Sequence, residues 1–224
     1  MCNRYEAPTA TQITRQWRLE SLSDAVWPTV IHPRTRAPFL RGNQQGLALV
    51  VGRWGLIPPF AKSPAIKYST NNARSEELAA KPTYRDAWMK GQRCIIPAAS
   101  FDEPCWESGR NQWWRFERAD GMPWGLAGLW NAWTDRSTGE IHESYTMLTI
   151  NADSHPLMRR MHKSDPALPP DAQDKRSVIV VEQAEVDWWL WGSMQEALAL
   201  LKLSPTEIFK AGPAAMDLQQ ALLL

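Results

Sequence analysis

Apolar positions change period several times along the chain. Over residues 10–25, Ile13, Trp17, Leu19 and Leu22 recur with polar residues between them, a spacing compatible with a helix. From 26 to 42 the prolines of WPTVIHPRTRAPFLRG break any period and predict loop and edge strand. GLALVVGRWGLIP is a nearly continuous apolar run that leaves through Pro58 and Pro59, as a buried strand does. PAIKYSTNNARSEELA passes from loop or short strand towards a helix, with Ser75 and Glu76 as start residues. YRDAWMKGQ predicts a short helix end stopped by Gly91. RCIIPAASFDEPCW reads as a strand, a proline-bearing break and a second extended piece. In WWRFERADGMPWGLAGLWNAW, Asp120-Gly121 predicts a hairpin turn between two aromatic runs. ESYTMLTINA is a strand with Tyr145, Met147 and Thr149 on one face, and SVIVVE a short buried strand. EVDWWLWGSMQEALALLKL is a helix interrupted near Gly192, and a peripheral helical tail is expected from about residue 204.

Strands and helices do not alternate regularly, so the order predicts an α+β fold rather than a doubly wound sheet. With no repeat, low-complexity tract or Gly/Ser linker, residues 1–224 read as one domain. Composition changes this picture little: 44% hydrophobic and 22% charged residues are ordinary for a folded soluble protein. The apolar runs are too short to cross a bilayer, and the N-terminus lacks a signal peptide's apolar stretch. Three cysteines cannot all pair within one chain, which makes a reducing cytoplasmic setting the expectation. A net charge of +1 does not by itself point to nucleic acid, although a local basic groove remains compatible with it. The thirteen tryptophans are expected mostly in the core, with a few free to stack on bases.

Candidate chemistry begins at MCNR. Removal of Met1 would leave Cys2 with an amine and a thiol on adjacent carbons, neither far from neutral pKa. With an aldehyde, the amine forms a Schiff base and the thiol closes a five-membered thiazolidine. By position alone, an incidental thiol on a tail is the commoner reading. STNNARSEE groups Asn71, Asn72 and Arg74, suited to sugar or phosphate oxygens, or equally to capping a helix. SFDEPCW sets Asp102 and Glu103 in apolar company, where a carboxyl can serve as general acid or base, or be an exposed loop acid. LMRRMHKSDP puts His162 beside Arg159, Arg160 and Lys163, a proton shuttle among phosphate-binding groups or a surface histidine. Cys94 and Cys105 lack zinc-ligand spacing, and Walker and dinucleotide fingerprints are absent. Both cysteines, Asp86 and most of Trp88, Trp113, Trp114, Trp124 and Trp130 are expected to be structural.

Taken in order, these segments resemble the SRAP family, the SOS-response-associated peptidases and abasic-site processing proteins. MCNR resembles the family's M-C-G-R, RWGLIPPFAK its W-G-L-I-P, and NNARSE its N-A-R-x-E. RCIIPAASFDEP resembles R-C-L-I-P-A-D-G-F-Y-E-W, and LMRRMHKSDPAL resembles L-M-x-x-I-H-D-R-M-P-x-L. The resemblance, spread over most of the chain, implies a mixed, largely antiparallel, barrel-like sheet with flanking helices. It also implies a covalent crosslink between Cys2 and an abasic site in single-stranded DNA, possible lyase and self-processing chemistry, and no metal or organic cofactor. By the same resemblance Cys2 is the nucleophile, Asn72 orients the sugar or the N-terminal amine, Glu103 is the acid/base, and His162 helps to open the sugar. Arg4, Arg74, Asn72, Trp54, Phe60 and Arg160 fall on the DNA-binding side. A soluble monomer, cytoplasmic and on the nucleoid when bound to DNA, is the corresponding expectation, in a divergent bacterial or phage-related member.

The departures cluster around the chemistry. Asn3 stands for the family's glycine, and Thr29 to Pro33 stand for Y-N-x-A-P. Ala99-Ser100 replace D-G, Pro104 replaces an aromatic residue, and Lys163-Ser164-Asp165 follow His162. A non-covalent single-strand-binding relative therefore stands as the alternative. A cysteine peptidase is a weaker one, since no oxyanion hole is marked.

Overall fold

The computed structural model describes residues 1–20 and 24–214. Its first strand, β1 (Arg4–Glu6), leads into α1 (Ala10–Trp17). Thr9 caps α1 in a reciprocal box with Gln12, and Arg18 ends it in the left-handed region at φ 51°. Its buried residues are Ile13 and Trp17, four apart on one face. The helix is shorter than the 10–25 periodicity suggests; residues 21–23 lie outside the described part.

Then come β2 (Val30–Ile31), β3 (Arg36–Asn43), β4 (Gly46–Trp54), β5 (Asn72–Arg74) and α2 (Pro82–Met89). They are followed by β6 (Arg93–Ala98), β7 (Ser100–Cys105), β8 (Gln112–Arg118), β9 (Trp124–Thr134) and β10 (Ile141–Asn151). The chain continues through β11 (Arg176–Val178), α3 (Val186–Leu190), α4 (Met194–Ala199) and β12 (Phe209–Pro213). Gly91 follows α2 at φ +64°, the conformation that glycine adopts most readily.

Five strands close a mixed barrel. β3 pairs β4 and β6, β6 pairs β9, and β9 pairs β10, all antiparallel. The parallel pairing of β10 with β4 completes the circuit. The far half of β10 carries β5 in parallel and β11 antiparallel. A second, antiparallel sheet runs β12-β8-β7-β1-β2. Between the two, Phe101 stacks on Phe116 at 5.0 Å and Trp124 lies 5.3 Å from Phe209, so one aromatic core serves both. The expected α+β, barrel-like single domain is what the structure has. No helix of the described residues is long and apolar enough to cross a membrane.

Three local expectations need correction. Asp120-Gly121 does form a turn, with Gly121 at φ +74°, but β8 and β9 are not hairpin partners. β8 pairs β7 and β12, whereas β9 pairs β6 and β10, so the turn carries the chain from the sheet to the barrel. Pro97 lies within β6 opposite Gly125, and the break falls at Ala99, where the chain leaves the barrel for the sheet. The segment from about 204 is not helical as far as it is described. After a single turn at Thr206–Ile208, β12 adds to β8 and buries Phe209; the rest of the expected tail lies outside the described residues.

Barrel closure leaves no room at Gly128 of β9. A Cβ there would sit 2.8 Å from both the Cys94 Sγ and the Thr146 carbonyl oxygen of β10. Gly128→Ala is expected to cost about 1–3 kcal/mol, read as a lower urea midpoint with an unchanged slope.

Candidate active site at the N-terminus

The site is organised by β7. Side chains alternate across a strand, and Phe101, Glu103 and Cys105, all buried, share one face while Asp102 lies on the other. β1 is registered so that Arg4 opposes Asp102. Asp102, 1% exposed, receives Arg4 at 2.9 Å and Arg115 of β8 at 3.1 Å, and Arg115 also reaches Glu6 at 2.7 Å. This cluster fixes β1 along β7 and delivers the first two residues to Glu103. The α-ammonium of Met1 stands 3.6 Å from Glu103 Oε2.

Cys2 is fully buried, and its thiol donates to the Arg4 carbonyl at 3.4 Å. Burial, with Glu103 adding to it, pushes that thiol well above its ordinary pKa. The Cys2 carbonyl accepts from Asn72 Nδ2 at 2.6 Å and from Asn71 Nδ2 at 3.4 Å. Asn71 also donates to Asn3 Oδ1 at 3.0 Å, so the residue in place of the family's glycine is tied into the same network. β5 and the residue before it hold these amides. Met147 N–H and Trp54 Nε1 both donate to the Asn71 carbonyl, and Tyr84 of α2 donates to that of Asn72. With Nδ2 committed to Cys2, the buried Asn72 Oδ1 is left accepting nothing from the described residues.

His162 approaches from another segment. Its N–H donates to the Pro104 carbonyl at 2.6 Å, and an isolated bridge pairs Cys105 with Met161. The residue is left-handed, φ 64°, a conformation uncommon for side chains other than glycine. Its Nε2 meets Glu103 Oε2 at 2.8 Å, and its Nδ1 is buried with no partner among the described residues. Burial alone would raise the Glu103 carboxyl; the α-ammonium and His162 outweigh it and hold the carboxyl below its ordinary value. Cys2, Asn72, Glu103 and His162, far apart in sequence, thus come together around the N-terminal backbone.

A cleft of about 710 Å³ opens beside His162, walled by Trp106, Arg159, Arg160, Lys163 and Lys175 among others. A second cavity of about 370 Å³ reaches Asn3 and Asn71 and contains Arg34 and Arg53. Of the residues expected to meet DNA, Phe60 is exposed. Arg74 is half-exposed and paired with Asp174. Arg160 is bidentate to Glu107 at 2.9 and 2.8 Å and lies over the Trp114 ring. Arg4 faces the buried Asp102. Trp54 is a correction: it is fully buried edge-on against Tyr5, so it offers no face to a base and instead supports Asn71. Arg115, Tyr84 and Lys175 were not foreseen; they bind backbone carbonyls or a buried acid, roles that leave no motif in the sequence.

The family model described as SOS response associated peptidase (SRAP) matches residues 1–220. The chain belongs to the SRAP family. It is 35% identical over 146 residues to the abasic site processing protein YoqW of Bacillus subtilis, covering 61% of this chain and 54% of that one. It is 31% identical over 179 residues to the abasic site processing protein HMCES of Xenopus tropicalis, covering 71% and 50%. The chain therefore spans about half the length of the curated relatives it matches. A crystal structure of a Bordetella bronchiseptica protein superposes with a TM-score of 0.85 at 35% identity, over 96% of this chain and all of that one. A Bacteroides thetaiotaomicron protein, 24% identical, shares the fold at a TM-score of 0.80 over 98% and 94%.

Because the Glu103 carboxyl titrates lower in the folded than in the unfolded state, it stabilises the fold above about pH 4.3. That contribution is lost as pH falls through the folded-state value. Glu103→Gln is expected to narrow the difference between urea midpoints at neutral pH and below about pH 4. An unchanged difference would show that the carboxylate is not held by its cations.

Proposed function

We propose that the protein processes abasic sites in single-stranded DNA by trapping them covalently on Cys2 once Met1 is removed. The observation that carries this reading is the start of the chain, with the Met1 amine and the buried Cys2 beside it, standing against a buried carboxylate that is itself paired with a histidine. The names of the relatives, abasic site processing proteins, support the substrate.

An abasic deoxyribose is mostly a closed hemiacetal. Opening it requires a proton to leave the anomeric hydroxyl and one to reach the ring oxygen, and Glu103 with His162 is a proton acceptor and donor 2.8 Å apart. The buried, high-pKa Cys2 thiol makes the amine the first nucleophile. The amine adds to the aldehyde carbon, and the carbinolamine loses water to give an imine. The Cys2 thiol then adds across the C=N bond, its sulfur to carbon and its proton to nitrogen, closing the thiazolidine with one water lost overall. Asn72 Oδ1, the unused acceptor beside Cys2, orients the amine or a sugar hydroxyl. Lyase chemistry beside the lesion, and self-processing at Met1, would draw on the same Glu103.

The DNA strand is assigned to the cleft beside His162. Arg160 is paired there with Glu107, and Arg74, outside the cleft lining, with Asp174; such surface pairs are worth about 1 kcal/mol or less, so a phosphate can take the place of either carboxylate. Phe60 offers an exposed ring for stacking.

The test uses protein with Met1 shown absent by intact mass, mixed with an oligonucleotide carrying one abasic site and run on a denaturing gel. A slow-migrating covalent band is expected, and its absence overturns the reading in favour of non-covalent binding. Cys2→Ser keeps the amine but not the thiol. It is expected to give a band only after borohydride reduction, because the imine forms but a hydroxyl closes no durable ring. Glu103→Gln is expected to slow band formation by about 10²-fold or more.

A further inference from the structure

We propose that Lys175 is a positioning residue for His162, setting the imidazole for sugar opening; this rests on the function proposed above. Lys175 precedes β11 and is 6% exposed. Its ammonium donates to the Met161 carbonyl at 2.9 Å, the His162 carbonyl at 2.6 Å and the Ser164 hydroxyl at 3.4 Å. All three acceptors lie in the short turn that carries His162. Among the described residues no carboxylate pairs with this ammonium, so a buried cation is used to gather backbone oxygens. Burial lowers its pKa, opposed by Asp153 and by Cys105. Asp153 holds the backbone of Asp174 and Lys175 at 3.0 and 2.9 Å, which fixes the base of the side chain.

The turn needs such a clamp. The left-handed backbone of His162 costs about 1–3 kcal/mol and persists only where its surroundings over-determine it. Its N–H is held by Pro104 and its carbonyl by Lys175, so both peptide groups flanking the Cα are fixed from opposite elements. From this fixed backbone the ring reaches Glu103 Oε2 at 2.8 Å. Without the ammonium, two converging carbonyls lose their common donor and the histidine loses its fixed angle, while the cleft walls keep Arg159, Arg160 and Lys163.

The test compares Lys175→Met with wild type in three measurements. Crosslinking to an abasic oligonucleotide is expected to slow by about 10- to 100-fold, the effect of misplacing a reacting group by about 1 Å. Binding to a strand carrying a tetrahydrofuran analogue, which cannot open, is expected to weaken far less than crosslinking slows, since the Lys175 ammonium, although in the cleft wall, is committed to three protein oxygens. Long-range ¹H–¹⁵N spectra, which need no substrate, are expected to show the His162 ring signals moved and those of His32, His142 and His155 in place. Wild-type crosslinking by the variant, or unmoved His162 signals, overturns the proposal. Loss of tetrahydrofuran binding in step with crosslinking also overturns it, since Lys175 would then act on the strand itself. If wild type gives no crosslink, the function proposed above fails, and the His162 spectra alone decide the role of Lys175. Should Lys175→Met not fold, Lys175→Gln, which still donates two hydrogen bonds, is measured in its place. Slowing of about threefold or more with moved His162 signals supports the proposal, and wild-type behaviour overturns it.

Discussion

A carboxylate sealed from water is tolerable only with cations set against it. Two such carboxylates stand side by side on β7, pointing to opposite faces. Asp102 is met by Arg4 and Arg115, Glu103 by the α-ammonium and His162. One short strand, β1, supplies a cation to each: Arg4 from its first residue and the ammonium from the segment before it. The start of the chain, which frays in most proteins, is therefore tied to β7, with Cys2 and Tyr5 fully buried. The buried Glu103 carboxylate takes a hydrogen bond from a histidine nearly sixty residues further along the chain.

What was legible in the sequence was local. Period and turn chemistry marked nearly every element, including Gly91 as a stop and the interruption at Gly192. Choice of strand partner was not legible. Asp120-Gly121 has the chemistry of a hairpin turn and adopts a turn, yet the strands on either side find partners in different sheets. Nothing within the segment specifies this; it follows from the aromatic core, where Phe116 is needed against Phe101 and Trp124 against Phe209. Residues 204–214 misled for a related reason. Their apolar residues resemble a helix face, but Phe209 fills the end of that core from an added strand.

The site shows the same division. Cys2, Asn72, Glu103 and His162 were each ambiguous alone, and only their order along the chain, matched to a family, joined them. Trp54 was misjudged because an aromatic residue in a motif suggests a stacking platform, whereas its indole N–H is needed beneath Asn71. Arg115 and Lys175 carry no motif, since a side chain that binds backbone oxygens or a buried acid has no fixed sequence spacing. Interior and rim also differ in energetics. The inner contacts are buried and committed, whereas Arg74 and Arg160 at the rim rest on half-exposed carboxylates that solvent already weakens.

The long sequence separations within the site have a consequence for biosynthesis. A chain is made from its N-terminus at about 5–20 residues per second. Cys2 thus leaves the ribosome well before Asn72, Glu103 and His162 exist, and the barrel strand that carries β5, β10, is itself a late arrival. Until those segments emerge, the first residues have no carboxylate to dock on and no amides to hold their carbonyl. The end that meets maturation enzymes first is for those seconds an ordinary, accessible peptide. If Met1 is removed as proposed, that trimming and the burial of Cys2 are separated in time by the topology of the fold.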